Sequence, residues 1–306
     1  MERTLKPGCY VVNLTNGDDR TEGYSVPKPI LGEQASKRLT RRRLFKLAGL
    51  GAVGLGLSQI GDKDDIQLEK HDLKLSNWSA DSFRLALITD LHMDSKSKAE
   101  RAVRAAVMAA QEKPDLILIG GDILSTRNPE GQQYCMQALD TILDLGTPVF
   151  AVLGNHEYQI KDAATVIKGL RDKFEKHRQR LLRNETAELD GVIVCGVDDG
   201  IAGRDRHDSL LPGHDKNVVT LFHEPDYVDR IDTRSSLMLA GHSHGGQMCL
   251  PFGISIATPR GALKYIKGYY PHAPVPLYVS RGVGTVGVGV RTFCPPEVTL
   301  LTLSGA

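Results

Sequence analysis

The sequence predicts an α/β protein built on a mixed sheet or on two packed sheets. Three observations carry that expectation. Short apolar runs recur along the chain, helical stretches lie between the early runs, and loops separate the later ones. The make-up of the chain agrees: 306 residues, 41% hydrophobic and 25% charged, describe an ordinary globular protein rather than a disordered or collagenous one. A formal net charge of +1 gives no reason to expect a nucleic-acid partner.

The elements follow in order. Leu85–Thr89 reads as a strand. Ser97–Lys113 reads as an Ala-rich helix stopped by Pro114, with Val103 and Val107 at helical spacing for its core face. Leu116–Ile119 and Val149–Leu153 are the next strands, separated by a helix over Gly131–Leu145 and followed by a helix over Asp162–His177. From there the strands Val192–Val197, Val218–Phe222, Leu237–Ala240, Leu277–Ser280 and Val298–Leu303 are joined by loops. Trp78 and Phe83 are expected either to cap the sheet or to meet lipid, and nothing in the sequence separates the two.

The charge is unevenly placed. Residues 1–46 carry ten Lys/Arg against five acids, a balance of +5, which leaves −4 for the rest. Residues 1–39 mix Pro, Gly, Asn and charges without an apolar period and are expected to be a disordered leader. Thr40-Arg41-Arg42-Arg43-Leu44-Phe45-Lys46 then precedes an uncharged, Gly-rich stretch from Leu47 to Gly61. This segment resembles a bacterial twin-arginine export signal, with Leu44 and Phe45 swapped against the usual order and an unusually long leader. Fifteen apolar residues fall short of the roughly 20 that span a bilayer comfortably. Leu57-Ser58-Gln59 makes a poor cleavage site, so an uncleaved anchor in the cytoplasmic membrane is the other reading. Either way the segment implies a bacterial, membrane-associated protein, with the twin-arginine translocase as partner if it is exported. Residues 62–82 then form a linker and the start of the domain, and 83–306 the domain itself.

Two other patterns are discounted. Five cysteines without a C-x-x-C, Cys9, Cys135, Cys195, Cys249 and Cys294, read as reduced and mostly buried. Two formal G-x-G-x-x-G runs, Gly49 to Gly54 and Gly282 to Gly287, lack a preceding strand or a following helix respectively, so neither presents a helix N-terminus to a pyrophosphate.

The histidines decide the function. Five of ten sit immediately beyond an apolar run: His92, His156, His223, His242 and His244. Strand ends form the ligand-binding edge of α/β sheets. Asp90, Asp122 and Asn155 share those positions. Oxygen and imidazole donors without thiolate suit Zn²⁺, Mn²⁺ or Fe, and their number exceeds what one ion needs, which makes two divalent ions the natural count. Glycines 120, 121, 154, 241, 245 and 246 leave room for backbone and ligands to crowd around them.

In this order, Asp90-Leu-His92, Gly121-Asp122, Gly154-Asn155-His156-Glu157, His223 and Gly241-His242-Ser243-His244 resemble the calcineurin-like metallophosphoesterase superfamily over residues 83–303. The segments around His223, His242, Arg281 and Cys294 are similar to its bacterial branch of exported or membrane-associated phosphodiesterases, among them UDP-2,3-diacylglucosamine hydrolases of lipid A synthesis. The resemblance implies an α/β/β/α fold, two packed sheets flanked by helices. It implies one ion held by Asp90, His92, Asp122 and His244, and a second by Asp122, Asn155, His223 and His242. A hydroxide shared by the ions would attack phosphorus in line, with His156 at the leaving oxygen, oriented by Asp94 or Glu157. Ser125 departs from the family, which usually has a second Asp there, and puts only the outer tuning of the site in question.

The implied activity is that of a phosphodiesterase or pyrophosphatase on a small-molecule or lipid-linked phosphoester. The alternatives are a broad phosphomonoesterase or phosphoprotein phosphatase, and a non-catalytic scaffold. Arg281, between a strand and Gly282, is the candidate phosphate contact. The loop from Asp198 to Lys216, with Arg204, Arg206, His207 and His214, is expected to be a solvated surface loop, the other reading being contact with an anionic substrate.

Overall fold

In the computed structural model the structure describes residues 65–206, 217–231, 234–287 and 289–306. The leader, the arginine-rich segment 40–61, Cys9, His207 and His214 lie outside them.

Two six-stranded sheets face each other. The first runs in the order β1 (Gln67–Leu75), β14 (Glu297–Gly305), β2 (Phe83–Ile88), β3 (Leu116–Gly120), β4 (Val149–Val152) and β5 (Arg180–Leu181). Strands β2 to β5 are mutually parallel, β14 is antiparallel to β2, and β1 is parallel to β14. The second sheet runs β12 (Gly268–Tyr270), β13 (Leu277–Val279), β9 (Leu237–Ala240), β8 (Val218–Leu221), β7 (Val192–Gly196) and β6 (Glu185–Leu189). Strands β13, β9, β8 and β7 are parallel, with antiparallel β12 and β6 at the edges.

The continuous apolar runs of the sequence have a simple cause. Inner strands are buried on both faces, so alternate residues supply two different cores. Leu85, Leu87, Leu116, Leu118, Phe150 and Val152 meet Val192, Val194, Val219, Leu221, Leu237 and Leu239 between the sheets. Ala86, Ile88, Ile117, Ile119, Val149 and Ala151 point the other way, against helices α1 (Lys96–Gln111), α2 (Pro129–Leu143) and α4 (Ala163–Lys176). A five-residue helix, α3 (Asn155–Gln159), follows β4. The outer face of the second sheet is covered by a 3₁₀ turn over Pro225–Arg230 together with Tyr265 and Val275.

Helix α1 differs from the expectation in one respect. Its buried face is carried by Ala99, Ala102, Ala105, Ala106 and Ala109, while Val103 and Val107 are half-buried at its margin. Small side chains let the helix axis approach the sheet closely, which is why alanine occupies the face that valine was expected to fill. Helix α2 starts as its residues dictate: the Asn128 side chain accepts from the Glu130 N–H at 3.1 Å, and Pro129 stands at the first helical position. Trp78 and Phe83 are buried, 6.5 Å apart, in the core between the sheets, so they cap it rather than face lipid. Among the described residues no helix is long and apolar enough to cross a membrane, and the four described cysteines are buried and form no disulfide.

Candidate metal centre

Parallel strands discharge their C-terminal ends at one edge, and here both sheets do so together. Asp90 and His92 follow β2, Asp122 follows β3, Asn155 and His156 open α3 after β4, His223 follows β8, and His242 with His244 follow β9. All are buried except His156, which is half-buried.

The backbone turns sharply there. Asp90, His92, Asp122, His242 and His244 all have left-handed φ, between 46° and 66°. Each such residue costs about 1–3 kcal/mol. Strain concentrated on five of the polar side chains at one edge marks a site the surrounding fold holds in place. The adjoining glycines are needed for the same reason. Gly121 has φ +92°, and a β-carbon on it would lie 2.6 Å from His223 Nδ1. At Gly241 a β-carbon would lie 2.5 Å from Asp90 Oδ2.

The donors form three overlapping groups, Asp90 with His92 and His244, His92 with Asp122 and His156, and Asp122 with His223 and His242, in each of which the donor atoms lie within 4.8 Å of one another. Asp122 stands in the middle: its Oδ2 is 3.5 Å from His92 Nε2 and 3.2 Å from His223 Nε2. On the Asp90 side, His244 Nε2 lies 3.5 Å from Asp90 Oδ1 and 3.0 Å from His92 Nε2. Asp90 is itself fixed by Thr89 Oγ1, which donates to Oδ2 at 2.6 Å, and by the His242 N–H at 3.1 Å.

Tautomers follow from the partners. His223 Nδ1 faces the Gly120 carbonyl at 2.7 Å, and a carbonyl only accepts, so that nitrogen carries the proton and Nε2 faces Asp122. His242 Nε2 donates likewise to the Arg260 carbonyl at 2.8 Å, leaving Nδ1 as the acceptor. Asn155 Oδ1, His92 Nδ1 and His223 Nε2 are buried without a hydrogen-bond partner among the described residues. Carboxylate and imidazole groups crowded within 3–4 Å of Asp122 fit cations between them, so this set suits the divalent ions that the sequence implied.

The protonation pattern agrees for three of the four imidazoles and departs at His223. Burial, with the repulsion of neighbouring cationic groups, holds His92, His242 and His244 below the usual imidazole range, in the neutral form that ligates metal. Burial opposes charge on His223 too, but the Asp122 carboxylate outweighs it and holds that imidazole well above its usual value. Burial likewise opposes the charge on Asp122, and His223 and His92 overcome it, keeping the carboxyl well below its usual range.

Three expectations are corrected. Glu157 does not orient His156 through its ring. Its oxygens accept the Leu124 and Gly154 N–H groups, each at 2.8 Å, and burial with the Asp122 charge pushes its carboxyl up to about 8. Asp94 is taken by Lys98 Nζ at 2.5 Å. Arg281, the candidate phosphate contact, is already paired: its guanidinium meets Glu69 Oε1 at 2.5 Å and Glu297 Oε2 at 2.7 Å. Glu297 is 2% exposed, so the arginine neutralises a buried carboxylate. Arg281→Met is therefore expected to lower unfolding stability by about 3 kcal/mol in chemical denaturation. Hydrolysis by the folded fraction should be unchanged, and unaltered stability with lost turnover would return Arg281 to phosphate binding.

Arg204 and Arg206 line a separate basic cavity of about 910 Å³ with Tyr158, Arg171 and Arg183, rather than the cleft at the histidines. Sequence reading missed Arg291, a buried cation in a Gly-rich run. Its guanidinium donates to the carbonyls of Arg281, Gly284, His244 and Cys294 at 2.7–3.3 Å and so pins the loop carrying His244. The only signal for it was a charge inside an otherwise apolar segment.

Two packed sheets with a crowded edge of imidazole and carboxylate donors fit a metal-assisted hydrolase. The sequence profile of the calcineurin-like phosphoesterase family matches residues 83–246, more than half of the chain, and the protein belongs to that family. The metallophosphoesterase YkuE of Bacillus subtilis is 28% identical over 284 residues, covering 87% of this chain and 98% of YkuE. The phosphodiesterase YaeI of Escherichia coli is 27% identical over 275 residues, covering 87% and 99%. A metallophosphoesterase of Aquifex aeolicus is 29% identical over 260 residues, covering 78% and 92%.

Proposed function

We propose that the protein is a phosphodiesterase or pyrophosphatase that uses two divalent ions. The observation that carries the reading is the position of Asp122, whose carboxylate lies between His92 on one side and His223 on the other. Asp90, His92, Asp122 and His244 would hold one ion; Asp122, Asn155, His223 and His242 would hold the second. Asn155 Oδ1 fits that role as a buried oxygen without another partner among the described residues. When bound, such a pair lowers the pKa of water and neutralises phosphoryl oxygens.

The chain's own residues supply the rest. His156 carries a half-buried ring 4.7 Å from that of His92, and its N–H donates to Asp122 Oδ1 at 2.9 Å, which fixes the start of α3. From there its imidazole delivers a proton to the leaving oxygen. The cleft, about 300 Å³, is lined beyond the histidines by Ser243, Gln247, Thr258, Pro259 and Val286, with no lysine or arginine among the described residues. A singly charged diester suits that lining better than a dianionic monoester, and the name of YaeI points the same way. A lipid-linked substrate and export or anchoring through residues 40–61 extend the reading, supported by the arginine-rich segment and by bacterial relatives.

The test is hydrolysis of bis-p-nitrophenyl phosphate beside p-nitrophenyl phosphate by the full chain, stripped and reloaded with Mn²⁺ or Zn²⁺. Metal-dependent kcat/KM for the diester should exceed that for the monoester by about tenfold, 1.4 kcal/mol in barrier. A preference for the monoester would replace the reading with the phosphomonoesterase one.

A further inference from the structure

Beside the cleft stands a hairpin whose apolar face is turned outward. Strands β10 (Cys249–Leu250) and β11 (Ile254–Ser255) pair with Cys249 opposite Ser255 and Leu250 opposite Ile254, joined by Pro251–Gly253. Period two separates the side chains. Cys249 and Ser255 point inward, their Sγ and Oγ donating to the Gly245 carbonyl at 3.3 and 3.0 Å. Met248, Leu250, Phe252, Ile254 and Ile256 point out, 43%, 51%, 100%, 59% and 61% exposed. A hairpin adapted to water does the reverse.

The tip is held in that state. Phe252 has φ +67°, a strained conformation for an aromatic residue, and the Gly253 carbonyl behind it accepts from Lys267 Nζ. The chain on either side of the hairpin carries charge of one sign, with Lys264 paired to Asp229 at 2.9 Å. From Thr233 to Pro296 the chain contains no Asp or Glu but six Lys/Arg, of which Arg260 and Lys264 are exposed. Gly246 and Gln247 before the hairpin, and Ala257, Thr258 and Pro259 after it, line the cleft, so the hairpin forms its rim.

We propose that Met248–Ile256 is a membrane-docking element. It seats its apolar side chains in the interfacial layer of an anionic bilayer and brings the cleft mouth to the lipid headgroups. Exposed apolar residues with an aromatic tip and flanking cations are the physical requirements for such contact. The surface is argued from exposure and charge and does not rest on the phosphodiesterase reading.

Phe252→Trp in the full chain provides the reporter, because Trp78, the one native tryptophan, is buried. With vesicles of phosphatidylcholine and phosphatidylglycerol, the emission of the new indole should shift to shorter wavelength, and bromine on the acyl chains should quench it. Adding Leu250→Asp and Ile254→Asp should abolish both changes, while hydrolysis of bis-p-nitrophenyl phosphate in the same samples stays unchanged. Two results would overturn the proposal: an unshifted indole in protein that nonetheless sediments with vesicles, or a shift without lipid that grows with protein concentration and marks a second copy as occupant. Turnover in those samples reports separately on the phosphoesterase chemistry.

Discussion

Asp122→Asn is expected to empty the metal centre and to lower kcat/KM by a thousandfold or more, about 4 kcal/mol of transition-state stabilisation. The carboxylate lies 3.5 Å from His92 Nε2 and 3.2 Å from His223 Nε2, so it serves both halves of the site. An amide of the same shape removes the negative charge that would attract both cations, and turns an N–H₂ donor toward where one of them would sit. The fold should survive, because the amide keeps the packing volume and its oxygen can still accept the His156 N–H. Elemental analysis of the purified variant, with circular dichroism as the fold control, checks it. Full metal content in the variant would sink the assignment of Asp122 as the shared ligand.

His156→Ala should behave differently: metal content is kept while kcat falls by roughly 10²–10⁴-fold, the usual contribution of a positioned general acid. The His156 ring is half-buried and stands at the edge of the His92 ring, whereas the residues assigned to the ions are buried. A proton delivered to the leaving oxygen matters most where that oxygen is a poor leaving group, so alkyl phosphodiesters should lose more than nitrophenyl ones. Metal loss equal to that of Asp122→Asn would make His156 a ligand instead, as its grouping with His92 and Asp122 allows. Equal losses on alkyl and nitrophenyl esters would remove it from proton transfer.

The strand-end residues were legible because the rule that places them is local. An apolar run that is buried on both faces reads as continuous, and the polar residue that ends it lies at the sheet edge. Asp90, His92, Asp122, Asn155, His156, His223, His242 and His244 all obey it. The edge strands were not legible. Gln67–Leu75 and Glu185–Leu189 carry charged or polar residues at every exposed position, so neither forms an apolar run, yet each pairs along its full length with an inner strand. Helix boundaries came within two residues, since Pro114 and Pro129 punctuate them.

What the sequence determined by itself is the chemistry: which donors are present, in what order, and at the ends of which strands. The tertiary structure alone decided who their partners are. Arg281 stands beside a strand end like a phosphate ligand, but Glu69, 212 residues earlier, and the buried Glu297 take its charge. Glu157 adjoins His156 in sequence and bonds instead to the backbone of Leu124 and Gly154. The hairpin from Met248 to Ile256 alternates larger apolar side chains with smaller ones, and only its docking on Gly245 shows that the larger set faces out. Local sequence fixes the period and the residue type at each position, while the direction a side chain faces and the charge it meets depend on segments brought close by folding.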